Sequence, residues 1–136
     1  MNFVRTIRLF LFLEALSFFT AALVHFGIIT QGFEHHKAGT AETVIGSVLA
    51  IGLIFSLLRP TSARTAALAA QGFALLGTFV GLFTIAIGVG PRTAPDLSYH
   101  FAIVAVLIWG LMMTMRSGRR MRVLHGIHRS PHRVME

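Results

Sequence analysis

Apolar residues do not alternate with polar ones along this chain; they run in long blocks broken at a few points. Residues 15–33, 43–58, 65–91 and 97–115 contain no Asp, Glu, Lys or Arg. An α-helix rises 1.5 Å per residue, so about 20 apolar residues cross a ~30 Å hydrocarbon core. Ends read from charges and breakers predict helices over about 7–30, 41–58, 64–88 and 97–115. Arg59, Pro60, Thr61 and Ser62 form a tight hairpin, with Ser62 as N-cap of the third helix. Gly88, Val89, Gly90 and Pro91 end that helix, and Pro95 starts the fourth with Asp96 as its N-cap. Such short connections favour an up-down-up-down four-helix bundle: an all-α integral membrane protein. The second and fourth helices are short enough that their ends should lie near the interface.

Composition agrees. Of 136 residues, 54% are hydrophobic and only 12% charged, against about a quarter charged in soluble domains. There is no cysteine, which excludes disulfides, thiol nucleophiles, thiolate metal sites and iron–sulfur clusters. The first segment has Arg5 and Arg8 ahead of an apolar run, like a secretory leader. Its length, Glu14 and the lack of a small-x-small site make it a retained span instead.

The net charge of +7 is unevenly placed. Residues 116–136 hold six arginines and one acid, and the rest of the chain is nearly neutral. The charge therefore describes a basic tail that would meet anionic lipids, not a nucleic-acid surface. Ten basic residues fall at the N-terminus, the 58–64 turn and the tail, against Lys37 and Arg92 in the other two loops. By the positive-inside rule both termini should be cytoplasmic, in the plasma (cytoplasmic) membrane. Residues 1–115 then form the membrane domain and 116–136 a basic cytoplasmic tail, where Ser130 and Pro131 would interrupt any helix.

Packing between spans relies on close contact and interhelical hydrogen bonds. The third helix carries Ala70, Ala74, Gly77, Gly81 and Thr84 at helical spacing. Gly77 and Gly81 form a small-xxx-small pair suited to packing within the bundle or to a homodimer or larger membrane complex. Gln71 and Thr78, seven apart, share a face for hydrogen bonding.

Ionisable residues inside a span are costly, at least ~2.5–3.5 kcal/mol for Asp, Arg or Lys at the centre. Glu14 and His25, eleven residues apart, lie on one face of the first helix about 16 Å apart. That face should point into the bundle. Glu14 needs a partner such as Arg64, Gln71 or another arginine. At the other end stand His25, Glu34, His35, His36, Glu42, Asp96 and His100, with Glu42 opening the second helix.

This cluster admits several chemistries. His25, His35, His36, Glu42, Asp96 and His100 suit a divalent metal such as zinc, iron or manganese. Two histidines on facing helices suit haem b. Glu14, His25 and Gln71 suit a ligand or proton-relay role without any cofactor. Each residue also has a plainer role: loop polarity for His35 and His36, helix capping for Asp96, packing for His25.

The stretch Leu23, Val24, His25, Phe26, Gly27 and the stretch from Gly39 through Glu42 and Gly46 to Leu49 resemble the DoxX-like group of small four-span membrane proteins. Members show a His-Phe pair late in the first helix, then a small residue, Glu and Gly pattern opening an apolar run. Here the proline-rich stretch between those helices is missing and His35-His36 stands instead. The resemblance implies a four-helix bundle that often accompanies redox or thiol-stress systems. It places His25 and Glu42 in the family pattern and assigns no substrate. Three functions follow as expectations: a His/carboxylate pocket for a metal, haem or small ligand; a non-catalytic accessory subunit; or an enzyme or transporter moving protons through Glu14 and His25.

Overall fold

The computed structural model describes residues 3–127, with side chains described through residue 116. Among these, the chain forms four α-helices: α1 (Phe3–His25), α2 (His36–Leu58), α3 (Ala63–Ala86) and α4 (Ala94–Ile127), with a 3-10 turn at Pro60–Ser62 and no strand. Each is long and apolar enough to cross a bilayer. The chain is a small integral membrane protein.

Consecutive helices pack side by side and run antiparallel, while α1 and α4 touch only sparsely. Polar contacts fix the directions. Near the start of α1, Arg8 donates from Nη2 to the Ser56 carbonyl late in α2 at 2.7 Å. Near the start of α3, Arg64 donates to the Thr114 carbonyl of α4 at 3.3 Å. The end of α1 meets the second turn of α2 and the first turn of α4 through His25. One end of the bundle is therefore rich in arginine and the other in histidine.

The core follows the sequence periodicity. On α1 the buried residues are Ile7, Leu11, Glu14, Ala15, Phe18, Ala22 and His25, a helical stripe that includes both ionisable groups. Close approach depends on small residues: a Cβ on Gly52 of α2 would lie 2.8 Å from the Ala70 Cβ of α3. Phe12, Leu76, Phe83 and Trp109 are exposed, as a lipid-facing surface requires.

Helix ends differ most from the sequence expectation in three places. The first helix stops at His25, not near residue 30, because Gly27 turns left-handed at φ 70° and Ile28 N–H closes back on the Leu23 carbonyl at 2.9 Å. The second starts at His36, five residues early, because the His35 ring caps it: Nδ1 accepts from Ala38 N–H at 3.2 Å. Glu42 therefore lies well inside α2 and does not open it. The fourth runs to Ile127, past the point where the tail was expected to begin. The break expected at Ser130 and Pro131 lies outside the described residues. Ser62 does stand at the N-cap of α3, though its hydroxyl makes no capping bond.

Candidate functional site: a histidine held between two carboxylates

The 26–35 loop folds back over the end of α1, where His35 N–H donates to the His25 carbonyl at 2.9 Å. In this loop the Glu34 carboxylate accepts from Gly32 N–H at 2.9 Å, and that bond holds its carboxyl below the usual carboxylate range. The fold-back brings the second turn of α2 alongside the last turn of α1. His25 Nδ1 then sits 2.7 Å from Glu42 Oε2. From the opposite side, α4 brings Asp96 Oδ1 to 3.0 Å from His25 Nε2. All three groups are buried, His25 at 3% exposure.

Hydrogen counting constrains the charge. Each ring–carboxylate contact needs one hydrogen, so two protons are shared among three groups. An imidazolium between two carboxylates has net charge −1. A neutral ring beside one carboxylic acid and one carboxylate has the same charge, so exchange between these arrangements moves a proton without moving net charge. Among the described residues, Glu42 also keeps one buried oxygen, Oε1, with no hydrogen-bond partner.

Asp96 was expected to be the N-cap of the fourth helix, but Thr93 occupies that position. Thr93 donates its hydroxyl and its N–H (3.2 Å) to Asp96 Oδ2, and Asp96 N–H donates back to the Thr93 hydroxyl at 3.3 Å. This reciprocal capping box fixes one oxygen of Asp96 and leaves the other for His25. Thr93→Ala should lower stability by about 1 kcal/mol, read as a drop in the thermal midpoint of detergent-purified protein. Thr93→Ser should retain the wild-type value. Equal midpoints for wild type and alanine would show that the box carries no load.

The predicted site residues are only partly brought together. His25, Glu42 and Asp96 converge, and His100 lies one turn along α4, donating from Nδ1 to the Asp96 carbonyl at 2.8 Å. The His35 ring centroid is 6.5 Å from that of His25, but its Nδ1 is engaged as a cap. His36 is exposed and stacks at a tilt on Phe26. Among the described residues, no group of three or more His, Asp or Glu is arranged to hold a metal ion. Both His25 ring nitrogens face carboxylates, so an axial bond to haem iron would have to displace one of them.

Glu14 meets Gln71, not Arg64. Gln71 Nε2 donates to both Glu14 oxygens at 3.0 and 3.1 Å, and its Oε1 accepts from the Thr114 hydroxyl at 3.2 Å. This network ties α1, α3 and α4 together at the arginine-rich end, over the bare backbone of Gly110. Between the two polar layers, Ser17 hydrogen-bonds Tyr99 at 3.5 Å across the α1–α4 seam. Tyr99, Thr93, Thr114 and Gly110 escaped the sequence reading; only Thr93 carried a signal, the Thr-x-x-Asp spacing. Gly77 and Gly81 face inward: added Cβ atoms would lie 2.8 Å from Ile45 and 3.1 Å from His100 Nε2.

A groove of about 600 Å³ runs along the open seam between α1 and α4. Leu13, Leu16, Val24 and Phe33 make its apolar walls, with Ser17, Tyr99, His25 and Asp96 as its polar lining. The molecule is thus a four-helix membrane bundle with a carboxylate–imidazole–carboxylate site beside a lateral groove. Comparison with protein-family models, curated proteins and solved structures returns no match.

Proposed function

We propose that the protein binds an amphiphilic molecule drawn from the bilayer and exchanges protons with its polar head through Glu42, His25 and Asp96. One observation carries this reading: a buried histidine with both nitrogens on carboxylates lines a groove between the second half of α1 and the first turns of α4. Apolar walls suit a chain, and the Asp96–His25 pair suits a hydroxyl or carbonyl oxygen. A ligand hydroxyl that accepts the Nε2 proton while giving its own to Asp96 exchanges a proton and leaves both its own charge and that of the site unchanged. The DoxX-like resemblance supports this reading, because its pattern positions fall on His25 and Glu42, which are in contact.

Photolabelling with a diazirine-bearing long-chain alcohol in liposomes tests the proposal. Labels should concentrate on residues 13–24 and 95–99, and Ala21→Trp should abolish them by filling the groove. A second groove, between α2 and α3, lies beside Phe55 and Phe73, and equal labelling there would overturn the proposal. A second reading, a proton path from Glu14 to His25, is favoured by Ser17 and Tyr99 standing between them. In that case Tyr99→Phe should slow proton flux into liposomes.

A further inference from the structure

A second, smaller cavity of about 210 Å³ lies among α2, α3 and α4 at the histidine-rich end. Its polar lining comes from Glu42, Thr78, Thr84 and His100, with His35 and Lys37 at the rim. Four hydrogen-bonding groups line one small space, and their protons can be followed individually.

Thr78 donates its hydroxyl to the Ala74 carbonyl at 2.8 Å, and Thr84 donates to the Gly81 carbonyl at 2.7 Å. His100 donates from Nδ1 to the Asp96 carbonyl, so in the neutral ring Nε2 carries the lone pair. That nitrogen faces α3, 3.1 Å from where a Gly81 Cβ would stand. Glu42 Oε2 is taken by His25, and Oε1 is buried without a partner among the described residues. The donors of Thr78, Thr84 and His100 are spent locally, so what these three offer a guest is acceptor capacity; the donors left are at the rim, on His35 Nε2 and Lys37. An unpartnered buried carboxylate oxygen costs about 1–3 kcal/mol or more; Glu42 Oε1 is sealed from water, so a guest donor gains correspondingly once the side chain turns toward the cavity.

We infer that this cavity is a binding site for a small primary ammonium ion, held by Glu42, His100, Thr78 and Thr84. An ammonium head offers three N–H donors and no acceptor, the complement of this lining. Its charge is opposite to the −1 of the neighbouring triad. Ile45, Val80 and Ile85 complete the wall and suit a short alkyl group. The volume falls below the ~300–1,000 Å³ of ordinary ligand pockets, which limits the guest to a few heavy atoms. Lys37 is exposed at the rim, where water screens its charge. The inference goes beyond the proton-exchange reading, because a separate cavity carries it.

The test uses the full chain, ¹⁵N-labelled at histidine, in zwitterionic phosphatidylcholine nanodiscs at fixed ionic strength. Methylammonium chloride should shift the His100 Nε2 resonance saturably. Tetramethylammonium has the same charge but no N–H, and should bind at least about tenfold more weakly, a difference of about 1.4 kcal/mol. Glu42→Gln should abolish the shift. Thr84→Val, which leaves the triad intact, should weaken binding and keeps the test valid if the Glu42 variant does not fold. Ala21→Trp fills only the α1–α4 groove and should leave ammonium binding unchanged. Equal responses to the two ions, no saturable shift, or unaltered binding in Thr84→Val would overturn the proposal. Binding that appears only in Lys37→Ala would assign the site to the chain's own lysine, and its loss in Ala21→Trp would merge the two cavities.

Discussion

Replacing His25 by alanine should destabilise the protein by about 3–5 kcal/mol, the range for removing one partner from a buried ionic network. Without the ring, Glu42 Oε2 and Asp96 Oδ1 lose contacts of 2.7 and 3.0 Å and face each other across a buried gap. Glu42 would then have neither oxygen partnered among the described residues, since Oε1 has no partner there even with His25 in place. Three helices lose a common anchor. The measurement is reversible unfolding in mixed detergent micelles, comparing wild type with the variant. Combining His25→Leu with Glu42→Leu and Asp96→Asn should recover much of the loss, because removing a whole buried network costs less than breaking it. A single-variant loss under about 1 kcal/mol would show that the ring is not held as described.

The second large effect belongs to the opposite end of the bundle. Gly110→Ala should cost about 3 kcal/mol, combining overpacking with lost hydrogen bonds. The added Cβ would lie 2.5 Å from Gln71 Nε2, 2.6 Å from Glu14 Oε1 and 3.0 Å from the Phe10 ring. Neither polar group has room to retreat, since Glu14 and Gln71 are both 0% exposed. The methyl group must therefore separate α4 from α1 and α3 or break the Gln71 bonds to Glu14. Gly72, one residue from Gln71 on α3, has nothing within 4 Å of its Cβ position. Gly72→Ala should accordingly be neutral or stabilise by up to about 1 kcal/mol. Equal effects at the two glycines would refute the idea that Gly110 makes room for the network.

Both effects arise from ionisable residues that the sequence marks clearly. Glu14 and His25 stand out in an apolar helix, and their spacing of eleven puts them on one face whatever the neighbours are. The spans are equally legible, because charge-free blocks of this length have few other uses. Other features depended on information the residue pattern does not contain. Helix α2 starts early because a histidine ring acts as its cap, a role that composition does not signal. Helix α4 is apolar on nearly every side, so its pattern does not say which face meets α1. Tyr99, Gly110 and Thr114 therefore look like any other residues of a lipid-embedded helix until that rotation is known. The choice of Gln71 over Arg64 as partner of Glu14 is one of axial level on α3: Arg64 lies two turns nearer the helix start and spends its donors on the Thr114 and Met115 carbonyls.

The capping box at Thr93 gives the site a mechanical property. Asp96 uses one oxygen to hold the first turn of α4 and the other to hold His25, so the two grips share a single side chain. A guest that draws Asp96 away from His25 must also loosen that turn, where Leu97 N–H donates to the Thr93 carbonyl at 3.1 Å. Occupancy of the groove would then be recorded in the backbone as faster amide exchange at Asp96 and Leu97, well before any change at the far end of the helix.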